Sequence, residues 1–162
     1  MPSVLITGTS KGIGFETALC FARAGYQVHA AMRTPSQSSL ADAAARQKLP
    51  ILIWKMDVDS DQSVNEAISE IQNSHGPIDV LVNNAGIERT GSVEELPVSE
   101  FRAVMETNYF GTIRCVQAVI PQMRSRRSGC IINISSVAGR ISSAPLTPYM
   151  ASKWALEALT EG

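Results

Sequence analysis

Between an apolar run, Val4-Leu5-Ile6, and a helical pattern in Phe15, Ala18, Leu19 and Ala22 lies the stretch Thr7-Gly8-Thr9-Ser10-Lys11-Gly12-Ile13-Gly14. A strand, a glycine-rich turn and a helix in that order constrain the fold more than any other part of the chain. Such a turn brings backbone N–H groups and the positive end of a helix to one point, an arrangement that holds a phosphate. Gly8 suits the tight turn, Gly12 the close approach of a pyrophosphate, and Gly14 close packing of helix on strand. The spacing is G-x-x-x-G-x-G rather than G-x-G-x-x-G. It is not a P-loop, because Lys11 precedes the glycine and no G-K-[ST] closes the turn. Taken alone, the stretch reads equally as a nucleotide turn or as a glycine-rich connection.

Downstream, strand and helix patterns alternate. Gly25 breaks the first helix, and Gln27–Met32 reads as a second strand. Leu40, Ala43, Ala44 and Gln47 give a short helix, and Ile51–Trp54 a third strand. Val64, Ala67, Ile68 and Ile71 recur at helical spacing. Ile78–Val82 is a fourth strand, Phe101 to Met123 a long helical stretch with Pro121 inside it, and Cys130–Ile134 a fifth strand. A final helix is expected from about Tyr149. Pro121 is expected to bend or tighten its helix. Short, near-continuously apolar strands alternating with helices mean a parallel sheet covered on both faces. Residues 1–162 are expected to form one α/β domain.

The balance of 44% hydrophobic and 18% charged residues, with a formal net charge of −1, excludes disorder and gives no electrostatic footprint for nucleic acid. Arg124, Arg126 and Arg127 read as a solvated helix end rather than an anion site. Cys20, Cys115 and Cys130 are far apart and odd in number, which suggests neither zinc nor a disulfide framework. Each falls in an apolar stretch and is expected to be a buried free thiol, as in a reducing compartment. No apolar run approaches the ~18 residues of a membrane helix. The reading is a soluble cytoplasmic protein that engages no membrane.

The residues that carry chemistry sit at strand ends, where open α/β sheets bind ligands. The second strand ends at Met32, and Arg33 follows where an acidic residue would take ribose hydroxyls. Arg33 and Lys11 together favour a 2′-phosphate, hence NADP(H); solvated surface charges are the alternative. Asp57 and Val58 end strand three, and Asn83-Asn84-Ala85-Gly86 ends strand four. Asp57 can accept from an adenine amino group or cap a loop. The Asn83 amide can tie neighbouring strands, and Gly86 can let a cofactor approach the backbone. Tyr149 and Lys153, at i and i+4, share a helix face. A tyrosine near its reference pKa of ~10 is a poor base at pH 7; closing the gap takes ~4 kcal/mol in favour of the phenolate. A unit cation ~4 Å away at an effective dielectric of ~20 supplies about that much. Ser136 lies at the end of strand five, where its hydroxyl can reach the same point. Ser135 is the neighbour most easily confused with it. Asn108 falls in a helix interior, a poor place for asparagine unless its amide is used.

The set Thr7-Gly8-x-x-x-Gly12-Ile13-Gly14, Asp57, Asn83-Asn84-Ala85-Gly86, Asn108, Ser136 and Tyr149-x-x-x-Lys153 resembles the short-chain dehydrogenase/reductases, in their compact branch. The resemblance covers the whole chain. It implies a Rossmann-like doubly wound sheet of strand order 3-2-1-4-5. It implies a catalytic tetrad in which Tyr149 is the general acid/base and Lys153 tunes it and holds the nicotinamide ribose. Ser136 would orient the substrate oxygen and Asn108 anchor a relay water. Dinucleotide contacts would come from Gly8, Ser10, Lys11, Gly12, Ile13, Gly14, Arg33, Asp57, Val58, Asn84, Ala85, Gly86, Tyr149 and Lys153. The activity implied is NADP(H)-dependent interconversion of a small-molecule alcohol and a ketone or aldehyde. Relatives continue with further strands and a segment over the substrate, so the chain reads as incomplete at its C-terminus. The alternative reading is therefore a cofactor-binding fragment without turnover. The last two helices commonly form the subunit interface of relatives, which implies a homo-oligomer, dimer or tetramer.

Overall fold

A computed structural model describes residues 1–162. Five parallel strands form one sheet in the order β3-β2-β1-β4-β5, with β1 at Ser3–Thr7, β2 at Gln27–Met32, β3 at Ile51–Lys55, β4 at Val80–Asn83 and β5 at Cys130–Asn133. The doubly wound arrangement expected from the alternating pattern is present. Strand β1 is central because every one of its residues is buried, which only a strand covered on both faces tolerates.

Side chains alternate across each strand, and the helices divide accordingly. Val4 and Ile6 of β1 pack with Val28, Ala30 and Met32 of β2 beneath helices α1 (Gly12–Arg23) and α2 (Leu40–Gln47). Leu5 points the other way. It joins Val64, Ile68 and Ile71 of α3 (Asp61–His75) and Cys115, Val119 and Met123 of α5 (Gly111–Arg126). Full burial of one such aliphatic side chain is worth about 1.5–3 kcal/mol, so the two layers together hold the sheet between them. Helix α3 begins where the Ser60 hydroxyl accepts from Ser63 N at 3.2 Å, a side-chain N-cap.

Strand β4 starts two residues later than the apolar run Ile78–Val82 suggests. Asp79 is occupied elsewhere: its carboxylate accepts from Ser3 N at 2.8 Å and from Arg126 at 2.9 Å. Arg126 also donates to Ile78 O at 2.9 Å. The arginine cluster is therefore not simply a solvated helix end, since Arg126 ties α5 to the start of β4.

The long helical stretch is two helices, α4 (Val98–Met105) and α5, joined without a break by a π-helical turn, Glu106–Phe110. Helix α5 runs through Pro121, and the change of helical pitch falls at Asn108 instead. Arg114 secures the turn by pairing with Glu106 and Asp61, and by donating to Val58 O at 3.1 Å. The last helix, α6 (Thr147–Glu161), starts two residues before Tyr149 with proline in its first turn. No helix is long and apolar enough to cross a membrane.

Two of the three cysteines depart from expectation. Cys115 is buried, and burial pushes its thiol up to about 12. Cys20 and Cys130 are exposed. The first sits on the outer face of α1 and the second opens an edge strand, positions that an apolar neighbourhood in sequence does not reveal.

Candidate active site

A groove of about 670 Å³ runs along the C-terminal ends of β1, β2, β3 and β4. Its floor is the turn after β1. Gly8 has φ +69°, and a Cβ there would lie 2.7 Å from Ala85 Cα, so any side chain would collide with backbone. A Cβ on Gly14 would lie 2.4 Å from both Asn84 Nδ2 and Gly8 O, so the start of α1 packs directly on the turn after β1 and the loop after β4 rather than on a strand. Gly12 differs: φ is +62° and nothing lies within 4 Å of its missing Cβ. Its bare side faces open space, the room an approaching phosphate needs. Ser10, Lys11 and the exposed Ile13 complete this wall.

Two loops are locked together beneath the groove. Thr7 Oγ1 accepts from Asn84 N at 3.0 Å and Ala85 N at 2.9 Å, while Asn84 Nδ2 donates to Thr7 O and Gly8 O. Asn83 Nδ2 donates to Asn133 Oδ1 at 2.9 Å, tying β4 to β5 as expected. Helix α1 opens onto the groove with no side-chain cap and no acidic residue in its first turn. Its leading N–H groups are left for solvent or a ligand.

Arg33 lines the groove beyond β2, with Thr34 and Gln37 beside it. Neither Lys11 nor Arg33 is in an ion pair. Asp57, Val58 and Asp59 form the wall beyond β3. The Asp57 carboxylate accepts from Asp59 N at 3.2 Å, so it caps its loop and still borders the groove. Asp59 Oδ2 accepts from the Thr107 hydroxyl at 3.0 Å, and burial lifts its carboxyl above the usual carboxylate range.

Gly86 and Ile87 form the far wall. A Cβ on Gly86 would meet Asn108 Oδ1 at 3.3 Å. The tight side of this glycine therefore faces the asparagine, while its backbone borders the groove. Asn108 is 1% exposed and spends its whole amide: Oδ1 accepts from Ile87 N at 2.8 Å, and Nδ2 donates to Ile87 O and Ser152 Oγ, both at 2.9 Å.

Ser136, Tyr149 and Lys153 lie beside the groove rather than in its lining. Ser136 Oγ accepts from Ala138 N at 3.1 Å, capping a short 3-10 turn, Val137–Gly139, that packs on α6. Ser135 Oγ is buried without a partner. Lys153 is 5% exposed, donates to Ile134 O at 2.7 Å, and holds its ammonium 5.6 Å from the centre of the Tyr149 ring. Burial pulls the Lys153 pKa below its ordinary value. The two side chains thus share one face of α6, as their spacing requires.

Residues 2–162 match the family model of the short chain dehydrogenases. The chain belongs to the short-chain dehydrogenase/reductase family. Human retinol dehydrogenase 8 is 43% identical over 98% of the chain, which spans 52% of that relative. An NADPH-dependent pterin aldehyde reductase of Arabidopsis thaliana is 37% identical over 98% of the chain and 66% of its own length. The crystal structure of a gluconate 5-dehydrogenase from Burkholderia cenocepacia, in complex with NADP and tartrate, superposes with a TM-score of 0.93. Its identity is 34%, over 99% of the chain and 64% of that protein. The chain thus spans between about half and two-thirds of the length of these members of the family.

Thr34, Gln37, Ile87, Thr107 and Ser152 were not foreseen. Ser152 carried a signal, because a small hydroxyl on the inward face of a helix needs a buried partner. The others line the groove through tertiary placement alone.

Proposed function

We propose that this member of the family is an NADP(H)-dependent oxidoreductase that interconverts an alcohol and a ketone or aldehyde, with Tyr149 as general acid/base. The observation that carries the reading is the buried Lys153 ammonium, 5.6 Å from the centre of the Tyr149 ring, beside the groove at the strand ends. A cation on the phenol's own helix face favours the phenolate over the neutral phenol. The burial that makes Lys153 a reluctant cation also strengthens the field it exerts.

The groove fits the cofactor. The uncapped N-terminus of α1 and the open side of Gly12 suit a pyrophosphate. The unpaired cations Lys11 and Arg33 suit a 2′-phosphate. Asp57 and Val58 would border the adenine, and Asn84, Ala85 and Gly86 the ribose and nicotinamide. When bound, NADP(H) supplies or accepts the hydride. Tyr149 gives a proton to the carbonyl oxygen in reduction and takes it from the alcohol in oxidation. Ser136 donates to the same oxygen and orients it. Lys153 holds the phenolate and the ribose, and Asn108, its side-chain amide already engaged, anchors the relay water to Lys153 through its main-chain carbonyl. Half-exposed Phe110 and Trp154, 45% and 48% exposed on the α5 and α6 side, support a homo-oligomer, dimer or tetramer. The unlinked thiols fit a cytoplasmic setting.

A panel of retinaldehyde, a pterin aldehyde and a 3-oxoacyl thioester, assayed with NADPH and NADH, tests the reading. Tyr149→Phe is expected to abolish turnover while leaving NADPH binding intact; retained turnover refutes the role. Arg33→Ala is expected to erase a preference for NADPH, and a wild type that prefers NADH refutes the 2′-phosphate reading. The partial span of relatives favours a second reading, a cofactor-binding unit without turnover. NADPH binding with no reduction across the panel is the outcome that selects it.

A further inference from the structure

Asn108 and Ser152 are joined by a hydrogen bond whose direction is fixed by chemistry. Ile87 offers its N–H to Asn108 Oδ1 at 2.8 Å, so the amide cannot be turned around without setting N–H against N–H. Its NH2 group therefore faces Ile87 O and Ser152 Oγ, each at 2.9 Å. Ser152 must accept there, which commits its only proton to Tyr149 O, 2.6 Å away. Ser152 is 0% exposed and Asn108 1% exposed, so no bulk water can stand in for a lost partner. The result is a directed chain from Ile87 in the groove wall, through the centre of the π turn, to the main-chain carbonyl of Tyr149.

The start of α6 makes this chain consequential. Its N-cap, Leu146, provides no side-chain hydrogen bond, and the turn carrying Tyr149 sits at that uncapped end. Through Ser152, the carbonyl of Tyr149 connects a side chain outside the helix to the residue that must meet a substrate oxygen. Ser152 itself does not line the groove.

We propose that Ser152 is a positioning residue for Tyr149, holding the phenol-bearing turn of α6 in register with the groove wall through Asn108 and Ile87. The inference rests on Tyr149 being the acid/base. Ser152→Ala leaves a buried Asn108 N–H without an acceptor and strips the Tyr149 carbonyl of its side-chain hydrogen bond, leaving only its helical one, while the Asn108–Ile87 pair survives. Misplacement of a reacting group is costly, so kcat is expected to fall about 10- to 100-fold. The KM for NADPH is expected to stay within about twofold, because uniform binding is untouched.

The test compares wild type, Ser152→Ala, Ser152→Cys and Tyr149→Phe. The assay is NADPH oxidation with the most active carbonyl of the panel above. Partial recovery of kcat in Ser152→Cys, which keeps a weak donor and acceptor, is expected. A wild-type kcat in Ser152→Ala alongside lowered thermal stability would mark a purely structural hydroxyl and overturn the proposal. Amide hydrogen exchange, with and without NADPH, decides the matter independently of turnover. NADPH is expected to slow exchange at residues 150–153 in wild type but only around Ile87 in Ser152→Ala; equal slowing at 150–153 in both proteins overturns the proposal. Full turnover in Tyr149→Phe would instead overturn the acid/base assignment and leave the exchange result standing.

Discussion

Acidifying the protein should destabilise it through one histidine. His29 lies in β2, 0% exposed, between the chains of β1 and β3. Burial, with a smaller contribution from the nearby His75, pushes its pKa down to about 4 from 6.5. Trp54 Nε1 donates to its Nδ1 at 3.1 Å, and its Nε2 has no partner. A second proton must therefore displace the indole from Nδ1. The folded pKa is depressed below the unfolded one, so between pH 6.5 and 4 the unfolded chain binds more protons and stability falls as pH falls. The gap between 6.5 and about 4, at ~1.4 kcal/mol per unit, is worth about 3 kcal/mol when fully expressed below pH 4. About 2 kcal/mol of it is lost already between pH 7 and pH 5. Against a total stability of about 5–15 kcal/mol this is a large share. His29→Gln keeps an acceptor for Trp54 and cannot titrate. Urea unfolding of the cofactor-free protein, followed by far-UV circular dichroism at pH 7, 6 and 5, should show wild type losing about 2 kcal/mol more than the variant. Parallel losses in the two proteins would refute the assignment to His29.

Three further outcomes are expected. Gly14→Ala forces a Cβ to within 2.4 Å of Gly8 O; it should cost at least about 1–3 kcal/mol of stability and abolish NADPH binding, as read by denaturation and fluorescence titration. Lys153→Met removes a buried charge, so denaturant stability should hold or rise while turnover is lost; a large loss of stability would contradict the burial argument. A thiol reagent added to the native protein should modify Cys20 and Cys130 promptly and Cys115 only on unfolding; rapid reaction of all three would contradict the packing around α5.

Much of this architecture is legible in the sequence, because a strand buried on both faces must be apolar throughout and a helix must repeat at 3.6 residues. Val4-Leu5-Ile6 and Ile68–Ile71 carry those signals undiluted. Boundaries slipped where a residue near a strand end had a better partner, as Asp79 does in Ser3 and Arg126. Exposure of Cys20 and Cys130 depends on which face a helix or edge strand presents, and local composition does not encode that. The candidate site was legible as a set of residue types, but its wiring was not. Asn108 and Ser152 are 44 positions apart, and the π turn that aims the asparagine inward leaves no mark in the hydrophobic period.

The first helix after the glycine turn ends in bare amides that its own sequence does nothing to complete. Solvent finishes that end in the free protein, and an anion would finish it better. Any molecule that does so becomes part of the fold, adding stability in proportion to the logarithm of its concentration. The protein's resistance to unfolding, and with it its survival among proteases, would then follow the abundance of its own ligand.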